Sequence, residues 1–102
     1  MVKIRYCCRN YNLKNINYEE MMRILKSQSV VLIDVRSKQE YKEGHLDGSI
    51  NIPLFDIRKE IIEQVTDRNK AIIVYCDAGI RSFKAQKILN ALGYKNVYNL
   101  EI

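Results

Sequence analysis

Two short runs, Val30–Val35 (VVLIDV) and Ala71–Tyr75 (AIIVY), constrain this chain more than any other feature of its sequence. Both are rich in β-branched residues and almost wholly apolar. They lack the alternation of a strand with one face in water, so each predicts a strand buried on both faces. Strands of that kind belong to a parallel sheet covered by helices, and the intervening segments supply the helices. Asn17 and Glu20 form a capping box ahead of a predicted helix over Tyr18–Ser27, with Met21, Met22 and Leu25 on one face. Ser37 and Glu40 repeat that signature before a short helix around Lys38–Lys42, which Gly44 ends, and Gly48 marks a further turn. A brief strand at Ile50–Ile52 stops at Pro53, and Phe55–Val65 has helical spacing. Ser82–Leu92 places Ala85, Ile88, Leu89 and Leu92 on one helical face before Gly93, and Lys95–Leu100 offers a last strand. The expectation is an α/β fold: one domain of about five mainly parallel strands flanked by helices.

A chain of 102 residues has room for one such domain. Residues 16–102 are expected to form it, with 1–15 as an N-terminal segment, either irregular or carrying a short extra strand near Val2–Tyr6. The net charge is +5, but Lys and Arg are interleaved with Asp and Glu and form no dense run. That pattern predicts a solvated basic surface with a weak attraction for anions, not a nucleic-acid site. The apolar runs are strand-sized, well short of the roughly 20 residues a membrane-spanning helix needs. The N-terminus MVKIRYCCRNYN has no signal-peptide core, so a cytoplasmic location with no membrane partner is expected.

The three cysteines, Cys7, Cys8 and Cys76, do not describe a disulfide framework. No Cys/His spacing suits zinc, so neither a metal nor a cofactor is expected. Cys76 stands apart because of its position. It ends a buried strand, Gly79 turns the chain, and a helix opens near Arg81. In parallel sheets, reactive groups gather at the carboxyl ends of the strands. A loop wrapped this way points backbone N–H groups inward, and the first helical turn adds its own unpaired donors, forming an anion cradle. Lowering a thiol of pKa about 8.5 by two units requires roughly 2.7 kcal/mol, and one helix terminus contributes up to about 2 kcal/mol. With the Arg81 guanidinium expected nearby, the cradle suffices without a partner histidine. The bland alternative, a buried inert thiol, gives no reason for the strand-end Cys, the turn glycine and the helix-entry Arg to occur together.

The segment YCDAGIRSFKAQKILNALGYKNVYNL resembles the active-site loop, following helix and last strand of rhodanese-like domains, and LIDVRSKQEYKEGHLDGSINIPL resembles that family's second hallmark. The resemblance runs from about Ile16 to Leu100. It implies a five-stranded parallel sheet and a sulfurtransferase in which Cys76 takes a sulfane sulfur as a persulfide and hands it to an acceptor. Asp77, Ala78, Gly79, Ile80 and Arg81 then match the loop that stabilises the thiolate and persulfide. Arg81 would attract a small anionic donor such as thiosulfate, and Ser82 would add a hydrogen bond. Asp34, Arg36 and Glu40 read as ion-pairing support for the loop. His45 reads as a satisfied hydrogen-bonding residue in a supporting place rather than as a base. Ser49 stands where the family usually has alanine, a change expected to matter little. The implied partners are the donor and a thiol or cyanide acceptor, with thioredoxin or a sulfur-relay protein as further candidates.

Three other readings compete. A phosphatase or arsenate reductase of related fold resembles this arrangement but has five residues between Cys and Arg. Only four, Asp77 to Ile80, intervene here. One residue spans up to about 3.3–3.6 Å of chain, so the shorter loop favours a single sulfur over a tetrahedral oxyanion. A non-catalytic binding module of the same family would be expected to lose the loop cysteine. A redox-sensing thiol protein would rest on the same activated thiolate. Cys7 or Cys8 would resolve a Cys76 persulfide if the N-terminus folds over the loop; ordinary packing is the plainer reading.

Overall fold

A computed structural model describes residues 14–102; the expected strand at Val2–Tyr6 and the two cysteines Cys7 and Cys8 lie outside the described residues. Five strands form one sheet: β1 (Lys14–Ile16), β2 (Val30–Asp34), β3 (Ser49–Asn51), β4 (Ala71–Tyr75) and β5 (Asn96–Leu100). Their order is β1-β5-β4-β2-β3, and every neighbouring pair is parallel. The helices are α1 (Tyr18–Ser27), α2 (Lys38–Glu43), α3 (Ile57–Gln64) and α4 (Ile80–Ala91). The fold class is the expected one.

Burial follows strand parity. Ile72, Val74 and Cys76 point into a core shared with Ile57 and Ile61 of α3 and Ala85 and Leu89 of α4. Ile73 and Tyr75 point the other way, into a second core with Met21 of α1, Leu32, Ile16 and Leu100. β4 is thus buried at every position, which is why its sequence shows no alternation. The same parity carries Cys76, one residue past the strand, to the α3/α4 face.

Both predicted capping boxes are present, Asn17 with Glu20 and Ser37 with Glu40. Helix α4 begins at Ile80, two residues earlier than expected, because Gly79 adopts φ 87° and serves as its N-cap. The helical spacing of Phe55–Val65 resolves into a 3₁₀ turn at Leu54–Asp56 followed by α3. Strand β1 pairs Lys14, Asn15 and Ile16 with Tyr98, Asn99 and Leu100. Its inner face is tied down by Gln86, a fully buried amide in α4 whose Nε2 donates to the carbonyls of Lys14 (2.8 Å) and Val97 (3.2 Å). Ser49 matters more than expected. It is buried, its hydroxyl donates to the Leu46 carbonyl at 2.8 Å, and it lies 3.2 Å from the Tyr75 hydroxyl.

Candidate active site

The β4–α4 connection wraps around the Cys76 sulfur. The left-handed conformation of Gly79 reverses the chain after Asp77 and Ala78, a turn that a residue with a Cβ adopts only under strain. The reversal aims the Gly79 amide at Sγ, 3.1 Å away, and the Ser82 amide follows at 3.4 Å. The thiol donates to Ser82 Oγ at 3.4 Å, and that hydroxyl in turn donates to the Gly79 carbonyl at 3.3 Å. Cys76 is only 2% exposed, whereas Asp77, Ala78 and Ile80 form an exposed rim.

Two effects oppose each other at this thiol. Burial raises its pKa; the Ser82 hydroxyl and the amides of Ser82, Gly79 and Arg81 lower it and prevail, leaving the thiol below its ordinary value. Once the proton leaves, the Ser82 hydroxyl can turn from the Gly79 carbonyl to the sulfur, so the same side chain serves both states. The groups that lower the Cys76 pKa most are thus hydrogen-bond donors of the loop itself.

Arg81 has a partner that its spacing did not show. Its guanidinium forms a two-point pair with Glu40, Nη1 to Oε1 at 2.7 Å and Nη2 to Oε2 at 3.1 Å. That pairing, with the Ser37 amide on the same carboxylate, holds Glu40 down at about 2. Glu40 reaches Arg81 because the capping box fixes it in the first turn of α2. Arg81 acts on Cys76 through its backbone amide and through its charge.

The second guanidinium is tied more tightly. Arg36 Nε lies 3.0 and 3.1 Å from the two oxygens of the fully buried Asp34, and Nη2 is 2.8 Å from Oδ2. Nη2 also donates to the Gly44 carbonyl at 2.5 Å, and Nη1 reaches Asp77 Oδ1 at 3.4 Å. These bonds push Arg36 further above its already high pKa. Asn51, which the sequence analysis did not single out, donates to the carbonyls of Asp34 and Arg36 and fixes the strand end beneath them.

His45 stands apart from the loop. Its ring stacks on Tyr41 at 3.7 Å, and Nδ1 lies 2.8 Å from the Tyr41 carbonyl. It follows Gly44, whose carbonyl accepts from Arg36. Among the described residues no cluster of His, Cys, Asp or Glu is placed to hold a metal ion, and no helix is long and apolar enough to cross a membrane. Two hollows flank the loop. One, of about 540 Å³, runs past Gly79 to Phe83, Lys84 and Asn99, and the other, of about 370 Å³, lies between Arg81 and Phe55.

Residues 17–101 match the family model described as Rhodanese-like domain. The chain is 43% identical over 67 residues to thiosulfate sulfurtransferase PspE of Escherichia coli, covering 66% of this chain and 64% of that protein. It is 34% identical over 98 residues to the thiosulfate:glutathione sulfurtransferase of Saccharomyces cerevisiae, covering 83% and 70%. It is also 34% identical over 90 residues to a tRNA uridine(34) hydroxylase of Buchnera aphidicola, covering 84% of this chain but only 29% of that protein. A solved E. coli structure titled rhodanese with anions superimposes with a TM-score of 0.67 at 41% identity, covering 70% of this chain and 84% of its own.

Proposed function

This chain belongs to the rhodanese-like domain family, and we propose that it is a sulfurtransferase that carries a sulfane sulfur on Cys76. The single observation that carries the proposal is the convergence of the Gly79 and Ser82 donors on one buried sulfur whose pKa they lower. In the first half-reaction the Cys76 thiolate attacks the outer sulfur of the donor. The donor's S–S bond breaks, its electron pair leaves with sulfite or a thiolate, and Cys76 becomes a persulfide. In the second half-reaction the acceptor attacks the terminal sulfur, and Cys76 leaves as the thiolate that the same donors stabilise. The cradle thus meets negative charge at both ends of the cycle.

Charge around the mouth bears on the donor. Two guanidiniums, Arg36 and Arg81, face three carboxylates, Asp34, Glu40 and Asp77, and all three are already engaged with the arginines. Such a ring favours a persulfide donor of low charge over the thiosulfate dianion. Thiosulfate, a small persulfide and a protein persulfide are to be compared as donors, with cyanide and thiols as acceptors. Cys76→Ser abolishes transfer from every donor, while Cys7→Ser and Cys8→Ser leave it nearly unchanged. Phosphate release from an aryl phosphate without any sulfur transfer would replace this reading with the phosphatase one.

A further inference from the structure

Besides Asp77, which pairs with Arg36 and Arg81, the larger hollow beside the loop is lined by two opposite charges that do not meet. Lys84, from the first turns of α4, and Glu101, just past β5, both line it, and neither has an ion-pair partner among the described residues. Glu101 is held in place by its backbone, whose amide donates to the Ile16 carbonyl at 2.9 Å. Asn99, 4% exposed, also lines the hollow. Its Nδ2 reaches Asn15 Oδ1 at 3.4 Å, but its Oδ1 is buried without a donor. A buried carbonyl oxygen left unpaired is costly, and a bound N–H group would satisfy it. The loop residues Ala78 and Gly79 line the hollow as well, together with the exposed apolar side chains of Ile80 and Phe83.

We propose that this hollow is the acceptor subsite and that it selects a zwitterionic low-molecular-weight thiol, an amino-acid or small-peptide thiol. The acceptor's carboxylate pairs with Lys84, its ammonium or amide N–H groups face Glu101 and Asn99 Oδ1, and its sulfur enters at Gly79. The inference rests on the persulfide reading of Cys76. The acceptor thiolate attacks the outer sulfur of the persulfide and the bond between the two sulfurs breaks. The acceptor leaves as a persulfide and Cys76 as a thiolate, with no net oxidation. Lys84 and Glu101 are specificity-determining residues in this scheme and do not touch the reacting atoms.

The test compares kcat/KM for five acceptors: glutathione, cysteine, cysteamine (no carboxylate), 3-mercaptopropionate (no ammonium) and cyanide. With the wild type, glutathione and cysteine exceed both half-molecules. Lys84→Ala lowers kcat/KM for glutathione, cysteine and 3-mercaptopropionate about three- to fivefold, the scale of one partly exposed charge pair, and leaves cysteamine and cyanide unchanged. Glu101→Gln does the converse, sparing 3-mercaptopropionate and cyanide. Binding of S-methylglutathione to the resting protein by calorimetry weakens in both variants, which checks the subsite without turnover. Equal losses for all acceptors, or none, would overturn the subsite while cyanide turnover kept the sulfurtransferase reading intact. Absence of cyanide and thiol transfer in the wild type would instead overturn that reading.

Discussion

The two guanidiniums that flank the loop look alike in sequence, yet they sit in different physical regimes. Arg36 is chelated by a carboxylate with no exposure to water and is further held by a backbone carbonyl and Asp77. Arg81 pairs closely with Glu40, with Asp77 at 4.0 Å on its other side, and the Arg81 and Glu40 side chains keep about a third of their surface in water, 38% and 31%. A buried pair is rigid because breaking it strands a charge, whereas a pair open to solvent is weakened by salt and exchanges partners at little cost. Arg36 belongs to the frame that holds the strand ends together. Arg81 is an adjustable group at the mouth, and its release from Glu40 would present a free guanidinium to an incoming anion.

The largest effect expected from this contrast is on stability. Arg36→Ala leaves Asp34 charged, buried and short of donors, and costs about 3–5 kcal/mol in urea unfolding. Arg81→Ala leaves the unfolding midpoint close to wild type. Equal losses in the two variants would erase the distinction. Next comes the acid response. The contribution of Glu40 is complete above its unfolded value of 4.5 and disappears as the pH falls through about 2. A carboxyl-carbon NMR titration therefore gives a Glu40 midpoint near 2 in the wild type and, in Arg81→Ala, one moved toward the ordinary carboxylate range. A wild-type midpoint in that ordinary range would mean the pair does not persist in solution. The smallest effect sharpens the role of the rim. Asp77→Asn removes one of three carboxylates and raises kcat/KM for thiosulfate about fivefold at low salt, with the gain fading as ionic strength rises. An unchanged rate would show that the ring's charge does not discriminate between donors.

Much of this arrangement was legible before any coordinates. Continuous apolar runs marked β2 and β4 because both of their faces are covered, and the capping boxes marked α1 and α2 because their bonds are made within four residues. What stayed hidden depends on contacts across the chain. Strand β1 has a single buried side chain, Ile16, and exists by pairing with β5, more than eighty residues away. Gln86 interrupts an apolar helical face, and only the approach of β1 and β5 explains a buried amide there. The loop was recognisable from Cys76, Gly79 and Arg81, but the partner of Arg81 was not. Glu40 lies forty-one residues away, and spacing carries no information about which side chain a guanidinium will meet. For the same reason the sequence understated the Ser82 hydroxyl, whose effect on Cys76 depends on a turn only the backbone reveals.

The central claim is that hydrogen bonds from the loop, rather than a histidine or a neighbouring cation, are what lower the pKa of Cys76. It is tested most directly by the pH dependence of Cys76 alkylation with iodoacetamide in a Cys7→Ser/Cys8→Ser background, followed by intact-protein mass. The account predicts a midpoint below that of an ordinary thiol, moved upward by Ser82→Ala and little changed by His45→Ala or Arg81→Lys. A midpoint at or above that of an ordinary thiol, or one that follows His45 and ignores Ser82, would contradict it.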